Sequence, residues 1–442
     1  MARLFGTDGV RGVAGEDLTY ELAVALGRAA VRKLGGRIVI GRDTRVSGPM
    51  LEEGLRAGIQ AEGGQAPTLL GVIPTPGLAW YTVDRGFDCG IMITASHNAP
   101  EYNGIKFFSA DGFKLPDAVE DEMQAIVESV LGEEVPAPVP GVEVADAVEQ
   151  FVDYDIAPLV ATGIDLSGLK IALDTAHGAA CKTTPLALEK LGAKVTAINT
   201  DPDGSIINVE CGSTHLGPVI ELMRECGADI ALAHDGDADR LLAVSSDGTV
   251  CDGDFILAIC AKDMSKRGML AANTVVSTVM ANLGFMQAME REGIEVSATK
   301  VGDRYVLESM REIGAVIGGE QSGHVIDLRH HTTGDGLATA LMLLGCVARS
   351  GKKLEELMGI MRKLPQSLVN VRVTDKSLYE GDEQIAAAAA DVERELEGCG
   401  RLLVRPSGTE PLIRVMVEAP TQEQADAMAN KLADVVRERI GA

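Results

Sequence analysis

Ile91-Met92-Ile93-Thr94-Ala95-Ser96-His97-Asn98-Ala99-Pro100-Glu101-Tyr102-Asn103-Gly104-Ile105-Lys106 joins a short apolar run to a small polar cluster centred on a serine. The apolar run predicts a buried strand. Pro100 and Gly104 break any helix, so Ser96 is predicted on a tight loop at the strand's C-terminal end. In open α/β sheets that end is where ligands bind. Taken alone, Ser96 and His97 read as local loop hydrogen bonding as readily as nucleophilic chemistry.

Outward from this stretch, a strand–helix–strand–helix–strand pattern occurs three times. The first copy has the strand Ile38-Val39-Ile40 into Gly41-Arg42-Asp43-Thr44, a helix around 49–62, a strand at 66–73, a helix at 76–85 and strand 89–93 into Ser96. The second has Ile171-Ala172-Leu173 into Asp174-Thr175, a helix near 180–191, a strand at 194–198, a helix around 216–226 and strand 229–233 into the segment 234–240. The third has strand 274–278, a helix at 283–292, a strand at 294–298, a helix near 303–312 and strand 314–317 into the segment 318–324. Three related α/β domains are expected. Ser96, the Asp235/Asp237/Asp239 cluster and the Glu320–His324 loop then occupy the same place in the three repeats. Domains meeting around one cleft would bring these three loops together.

The remaining segments differ in kind. Phe5-Gly6-Thr7-Asp8-Gly9-Val10-Arg11-Gly12 is too glycine-rich for regular structure and is expected to carry Arg11 on a flexible turn. Asp17 is placed to cap a helix whose apolar residues Leu22, Ala23, Leu26, Ala30 and Leu34 keep helical spacing until Gly35-Gly36. Residues 132–141 form a Pro-rich, acidic linker. After Leu364-Pro365, residues 368–374 alternate as a strand and 383–397 form an alanine-rich helix. Strands 401–405 and 412–418 then flank the turn Pro406–Pro411, and a final helix runs from about 421 to 439: a small α+β domain. The expected domains are 1–150 (serine loop), 151–254 (metal binding), 255–366 (sugar binding) and 367–442 (phosphate binding).

Composition narrows the function. The 442 residues exceed what one hydrophobic core fills. A net charge of −25, from 40 Lys and Arg against 65 Asp and Glu, repels nucleic acid and anionic membranes. A phosphorylated ligand must therefore find a local basic pocket. The eight cysteines (89, 181, 211, 226, 251, 260, 346, 399) form no Cys-x-x-Cys pair and no zinc spacing. Among apolar neighbours they read as small core residues in a reducing compartment. No long apolar segment follows Met1–Gly6, and the longest apolar run, Leu337–Ala348, falls short of the roughly 20 residues a membrane span needs. A cytoplasmic location is expected.

Three clusters carry chemistry. Asp235-x-Asp237-x-Asp239 puts three carboxylates within five residues. At about 5 Å each like-charge pair costs about 3 kcal/mol at an effective dielectric near 20, so a bound cation is a natural resolution, as is an exposed acidic loop. Arg240 and Ser246 stand where an EF-hand needs glycine and glutamate, and oxygen-only ligands favour Mg²⁺. Arg405-Pro406-Ser407-Gly408-Thr409-Glu410-Pro411 with Arg414 combines guanidinium groups, hydroxyls and a turn, either a phosphate cradle or a hairpin turn beside exposed arginines. Lys106 is a candidate proton carrier if burial or a second cation depresses its pKa; His324 has a similar status. No P-loop and no strand-following Gly-x-Gly-x-x-Gly is present.

Together these segments resemble the α-D-phosphohexomutase superfamily, and within it the bacterial phosphoglucosamine mutases, over the whole chain. Thr94–Asn98 resembles the phosphoserine loop, Asp235–Arg240 the Mg²⁺ loop, Gly319–His324 the sugar loop and Arg405–Pro411 the phosphate loop. The segment Phe5–Gly12, and Gln321 where glucose and mannose mutases usually have methionine, resemble the glucosamine branch. Ala99 departs from the proline of many relatives and is expected to loosen the serine loop slightly.

The resemblance implies three mixed-sheet α/β domains and a C-terminal α+β domain around a central cleft. It implies interconversion of glucosamine 6-phosphate and glucosamine 1-phosphate, feeding UDP-N-acetylglucosamine and cell-wall precursor synthesis. Phosphoserine at Ser96 would transfer its phosphoryl group through glucosamine 1,6-bisphosphate, the intermediate and activator. Mg²⁺ would sit on Ser96, Asp235, Asp237 and Asp239. Arg11 and Arg240 would steady the phosphate, and His97 and Lys106 would carry protons. Glu320, Ser322 and His324 would contact the sugar, and Arg405, Ser407, Gly408, Thr409 and Arg414 would clamp the other phosphate. The implied partners are a phosphosugar and a second copy of the chain as a homodimer, with no nucleic acid and no membrane. A phosphoglucomutase/phosphomannomutase of the same superfamily is the alternative; a non-catalytic binding protein would not need Ser96.

Overall fold

The computed structural model describes residues 3–6, 8–134, 137–138, 140–407 and 411–442. Its strands form sheets of six, five, four and three strands. The first three share one four-strand core. In the first, Tyr102–Ser109, Cys89–Ile93, Ile38–Arg42 and Thr68–Val72 lie side by side in that order. In the second the order is Leu241–Ser245, Ile230–His234, Lys170–Asp174 and Lys194–Ile198. In the third it is Val325–Asp327, Ile317–Gly319, Thr274–Thr278 and Glu295–Thr299. In each set the last three strands run parallel and the first runs antiparallel to its neighbour.

The three parallel strands of each repeat are those the sequence pattern predicts, except that the strand expected at 314–317 is Ile317–Gly319. The antiparallel fourth strand is not in that pattern, and it matters most for the site. A parallel partner needs a long crossover, whereas an antiparallel one is reached by a short loop. Residues 94–101, 235–240 and 320–324 are those reversing loops, so each chemistry-bearing cluster is held at both ends by paired strands.

Two local expectations are corrected. Val10–Val13 is a strand, not a flexible turn, and it pairs antiparallel with Tyr102–Ser109 so that Arg11 faces Gly104. Backbone pairing to a distant partner overrides local glycine flexibility. The helix Tyr20–Leu34 is capped by Thr19, whose Oγ1 accepts from the Leu22 amide at 3.2 Å, rather than by Asp17. Asp17 Oδ2 instead accepts from the Val13 amide at 3.1 Å.

The core of the first sheet is the apolar face of its parallel strands and of the antiparallel strand beside them. Ile38, Ile40, Ile91, Ile93 and Ile105 pack on Leu26, Leu51, Leu55 and Met123 from three helices. Each fully buried aliphatic side chain of this kind is worth about 1.5–3 kcal/mol. The apolar run Leu337–Ala348 lies within the helix Gly336–Ser350, capped by Asp335 Oδ1 on the Ala338 amide at 2.9 Å. Among the described residues no helix is long and apolar enough to cross a membrane. All eight cysteines are free, six of them buried.

The chain forms two compact units, residues 1–280 with 294–360 and residues 281–293 with 361–442. In the second unit the central strand Leu412–Glu418 pairs antiparallel with Gln366–Arg372 and Arg401–Pro406. Helices Glu383–Glu395 and Gln422–Ile440 cover one face through Ile385, Val392, Leu432 and Val436. Helix Leu283–Arg291 belongs to this unit: Glu418, fully buried, accepts from Asn282 Nδ2 at 3.1 Å and from the Leu283 amide at 2.9 Å.

Candidate active site

Ser96 lies three residues beyond the strand Cys89–Ile93, whose five residues are all buried, and the chain turns there through φ 52°. Left-handed backbone at a non-glycine residue costs of order 1–3 kcal/mol and persists only where the surroundings enforce it. Here they do. Thr94 Oγ1 accepts from the Ser96 amide at 2.9 Å and donates to Asp43 Oδ2 at 2.7 Å. Arg45, fully buried, donates to the carbonyls of Ser96, Asn98, Ala99 and Tyr102 at 3.0, 2.8, 2.5 and 2.8 Å, and its Nε donates to Asp43 at 3.0 Å. Asn208 Nδ2 adds contacts to the Ser96 and Asn98 carbonyls at 2.8 and 3.0 Å. A planar guanidinium with five donors suits this clamp better than any other side chain. The Ala99 carbonyl is one of the clamped groups.

The acidic loop meets the serine directly. Ser96 Oγ donates to Asp235 Oδ2 at 2.7 Å, and Gly236 lies so close that a Cβ there would stand 2.6 Å from the Ser96 carbonyl. Asp235, Asp237 and Asp239 each offer an oxygen, all within 4.8 Å of one another, and all three residues are buried. Burial and the two neighbouring carboxylates push Asp235 well up; burial and Asp237 push Asp239 up. Asp237 goes the other way: burial raises it, but Lys106 at 2.9 Å and the Thr75 hydroxyl at 2.7 Å hold it low. Asp237 Oδ1 and Asp239 Oδ1 are buried without a hydrogen-bond partner. Orphaned carboxylate oxygens in an all-oxygen cluster fit a hard dication such as Mg²⁺.

The cationic residues expected around the serine loop gather here. Lys106 is buried and paired with Asp237 at 2.9 Å and Asp8 at 3.0 Å. Its pKa is raised, not depressed: burial pushes it down, but Asp237, Asp8 and Asp239 outweigh burial. It is an ammonium donor, which corrects the condition placed on it from sequence. His97 Nδ1 lies 3.3 Å from Ser96 Oγ, and burial with Arg240 and Arg11 pushes the imidazole down to about 4, so it is neutral near pH 7. Arg11 pairs with Asp8, and Arg240 Nε approaches Asp239 at 3.7 Å.

The loop 320–324 joins the acidic loop by a backbone bridge between Arg240 and His324 and by the Leu241 amide on the Gly323 carbonyl at 3.1 Å. His324 is buried and stands 3.8 Å from both Asp239 and Asp303, with neither ring nitrogen hydrogen-bonded. Glu320 Oε1 accepts from the Gly302 amide at 3.1 Å, and Ser322 is exposed. Gln321 Nε2 donates to buried Asp254 at 3.1 Å. In the second compact unit, Arg405 and Arg414 are cross-strand partners; burial and Arg414 lower the Arg405 pKa. Ser407 is buried, its amide on the Leu412 carbonyl at 2.8 Å. Gly408 and Thr409 lie outside the described residues.

Sequence reasoning missed Asp8, Arg45, Thr75, Lys114, Asn208 and Asp303. Asp8 was legible only as part of a glycine-rich segment. Arg45 had one signal, its place just beyond the first repeat's opening strand. The others carry none before their partners are known.

Profiles described as phosphoglucomutase/phosphomannomutase, alpha/beta/alpha domains I, II and III, match residues 2–132, 148–248 and 252–364, and the C-terminal domain profile matches 368–435. The phosphoglucosamine mutase of Symbiobacterium thermophilum is 51% identical over 100% of both chains. That of Clostridium tetani is 48% identical over 99% of this chain and 100% of its own. A phosphoglucomutase/phosphomannomutase family protein from Burkholderia thailandensis superposes with a TM-score of 0.80 at 26% identity, covering 99% of this chain and 97% of the other. N-acetylphosphoglucosamine mutase from Aspergillus fumigatus, solved with GlcNAc-6P and magnesium, shares the fold with a TM-score of 0.70 at 19% identity, over 99% and 96%. This chain belongs to the phosphoglucomutase/phosphomannomutase family, in its phosphoglucosamine mutase branch.

Proposed function

We propose that the protein interconverts glucosamine 6-phosphate and glucosamine 1-phosphate, with Ser96 Oγ as the atom that gives and takes back the phosphoryl group. The carrying observation is Ser96 Oγ at 2.7 Å from Asp235 in a buried acidic triplet, inside a loop clamped by Arg45. In the forward direction the P–Oγ bond of phosphorylated Ser96 breaks and a bond forms to the free sugar hydroxyl, giving glucosamine 1,6-bisphosphate. After the bisphosphate reorients, Ser96 Oγ takes the other phosphoryl group and releases the product. The sugar hydroxyl releases its proton as the new P–O bond forms and Ser96 Oγ takes one up as it leaves, the exchange reversing in the return step, and neutral His97 at 3.3 Å is in reach to relay it.

Lys106, Arg11 and Arg240 supply positive charge around the transferring group, and Lys106 as an ammonium donates rather than accepts. Asp235, Asp237 and Asp239, with the serine oxygen, would hold Mg²⁺, which when bound offsets negative charge on the phosphoryl oxygens. Glu320, Ser322 and His324 are assigned to the sugar, and Arg405, Ser407, Gly408, Thr409 and Arg414 to the distal phosphate. The four segments 1–150, 151–254, 255–366 and 367–442 divide these tasks in the reading we favour. A cytoplasmic site of action suits eight free thiols.

The test is turnover of glucosamine 6-phosphate against glucose 1-phosphate and mannose 1-phosphate, with Mg²⁺ and each sugar bisphosphate supplied and Ser96→Ala as control. A glucosamine preference lost in the variant supports the reading. Preference for glucose or mannose keeps the mechanism and overturns the sugar. Turnover that survives Ser96→Ala overturns the mechanism.

A further inference from the structure

A series of acidic and basic side chains leaves the acidic triplet and returns to it. Asp237 contacts Lys106 at 2.9 Å, Lys106 contacts Asp8 at 3.0 Å, and Asp8 contacts Lys114 at 2.5 Å. Lys114 contacts Asp303 at 2.5 Å, and Asp303 lies 3.8 Å from His324, which lies 3.8 Å from Asp239. Acids and bases alternate from Asp237 round to Asp239. Four of these seven residues, Asp237, Lys106, His324 and Asp239, belong to the site already described. The other three, Asp8, Lys114 and Asp303, lie outside the residues assigned to substrate or metal.

Each of the three comes from a different element. Asp8 precedes the edge strand Val10–Val13. Lys114 sits beyond the strand Tyr102–Ser109, bridged back to Phe108. Asp303 opens the helix Asp303–Ile313, and the residue before it, Gly302, gives its amide to Glu320 of the sugar loop. Lys114 therefore links Asp8, beside Lys106, to Asp303, which follows the amide that holds Glu320 and lies near His324. Burial alone would discharge these groups, but their partners hold Asp8 and Asp303 down and Lys114 up, so all three stay ionised. Isolated buried pairs return little net stability, whereas a ring fixing two reactive groups at once fixes geometry.

We propose that Asp8, Lys114 and Asp303 are positioning residues: an ionic bridge that locks Lys106 on the first sheet and His324 on the third into one geometry across the serine and acidic loops. The inference rests on the proposed function. A reversible mutase must present the same groups to a phosphosugar in two orientations, and a displacement of about 1 Å costs about 10²-fold in rate. The bridge acts on the transfer step through Lys106 and His324.

The test compares Lys114→Met, Lys114→Arg and the charge-neutral Asp8→Asn/Lys114→Met/Asp303→Asn with the native enzyme, on whichever hexose phosphate the native enzyme turns over fastest. Lys114→Met should lower kcat about 10²-fold, with KM and the half-saturating Mg²⁺ concentration within about threefold. Lys114→Arg, able to span both carboxylates, should recover most of the loss. The triple variant leaves no unpaired charge at positions 8, 114 and 303 and keeps Lys106 on Asp237, so it should fold and remain slow. Near-native kcat in the triple variant, or a rise in KM with kcat kept, overturns the proposal.

A readout independent of turnover is the imidazole ¹⁵N signal of His324, assigned with His324→Gln. Its displacement in Lys114→Met and the triple variant supports the bridge, and an unmoved signal overturns it. Because this signal needs no substrate, a native enzyme inactive on every hexose phosphate would defeat the functional reading and still leave the bridge decided.

Discussion

Arg45 is the side chain whose loss should do most damage to the site while touching no ligand. Arg45→Met removes its contacts to four loop carbonyls and to Asp43, all between 2.5 and 3.0 Å. Breaking a fully buried ion pair costs about 3–5 kcal/mol, and each stranded carbonyl about 1–3 kcal/mol more. These costs share one cause and are relieved together when water enters, so they do not sum. About 4 kcal/mol is a fair local total, equivalent to about a 10³-fold larger population of the opened loop. Hydrogen exchange on a peptide covering 94–104 reads this directly. Exchange there should accelerate by about that factor, with peptides of the second compact unit unchanged, and kcat should fall by about 10² as Ser96 leaves its place. Arg45→Lys keeps the charge for Asp43 but lacks the fork, so its exchange should fall between the two. Protection of 94–104 within about tenfold of native in Arg45→Met would refute the clamp.

Other expectations follow from the same geometry. Lys106→Ala should lower kcat by about 10²–10⁴ with little change in KM, seen in steady-state kinetics. Mg²⁺ at about 100 times its Kd should stabilise the native protein by about 2.7 kcal/mol, read as a rise in Tm that is absent in Asp235→Asn/Asp239→Asn. Burial pushes His331 down, but Asp335 and Asp155 outweigh it and hold His331 up at about 9. Its rise from about 6.5 unfolded corresponds to about 3 kcal/mol, full below about pH 6.5 and lost as pH rises through 9. The Tm gap between native and His331→Gln should therefore shrink from pH 6 to pH 10, and a constant gap would refute the pairing. Gly323→Ala introduces a side chain at φ 90° against the Leu241 carbonyl, and should weaken phosphosugar binding by displacing the loop that carries His324.

The parallel strands were legible because each is a short β-branched or aliphatic run ending at glycine or small polar residues. Ile38–Arg42, Cys89–Ile93 and Ile230–His234 are buried on both faces, and no competing pattern obscures them. The antiparallel fourth strands were not legible. Tyr102–Ser109 contains Asn103-Gly104 and Lys106, which read locally as turn and solvent, yet seven of its eight residues are at least partly buried. Asn103 and Lys106 are buried because partners from elsewhere satisfy them: Asn103 Nδ2 on Ser47 Oγ at 2.9 Å, Lys106 on Asp8 and Asp237. The same blindness placed Arg11 on a turn rather than on an edge strand.

From its sequence alone this chain could be seen to repeat one α/β unit three times and to end in a different one. The same reading put a serine, an acidic triplet and a Glu–His loop at equivalent places. Periodicity and turn chemistry are local, written within a dozen residues. Which reactive groups meet is not local. Ser96 and Asp235 are 139 residues apart, Lys106 and Asp237 are 131 apart, and Lys114 and Asp303 are 189 apart. A lysine buried between two aspartates and a lysine in water are the same letter in a sequence. Their charge state, donor directions and worth to the site are set by the low dielectric and fixed partners that packing supplies, and only the tertiary structure decided those.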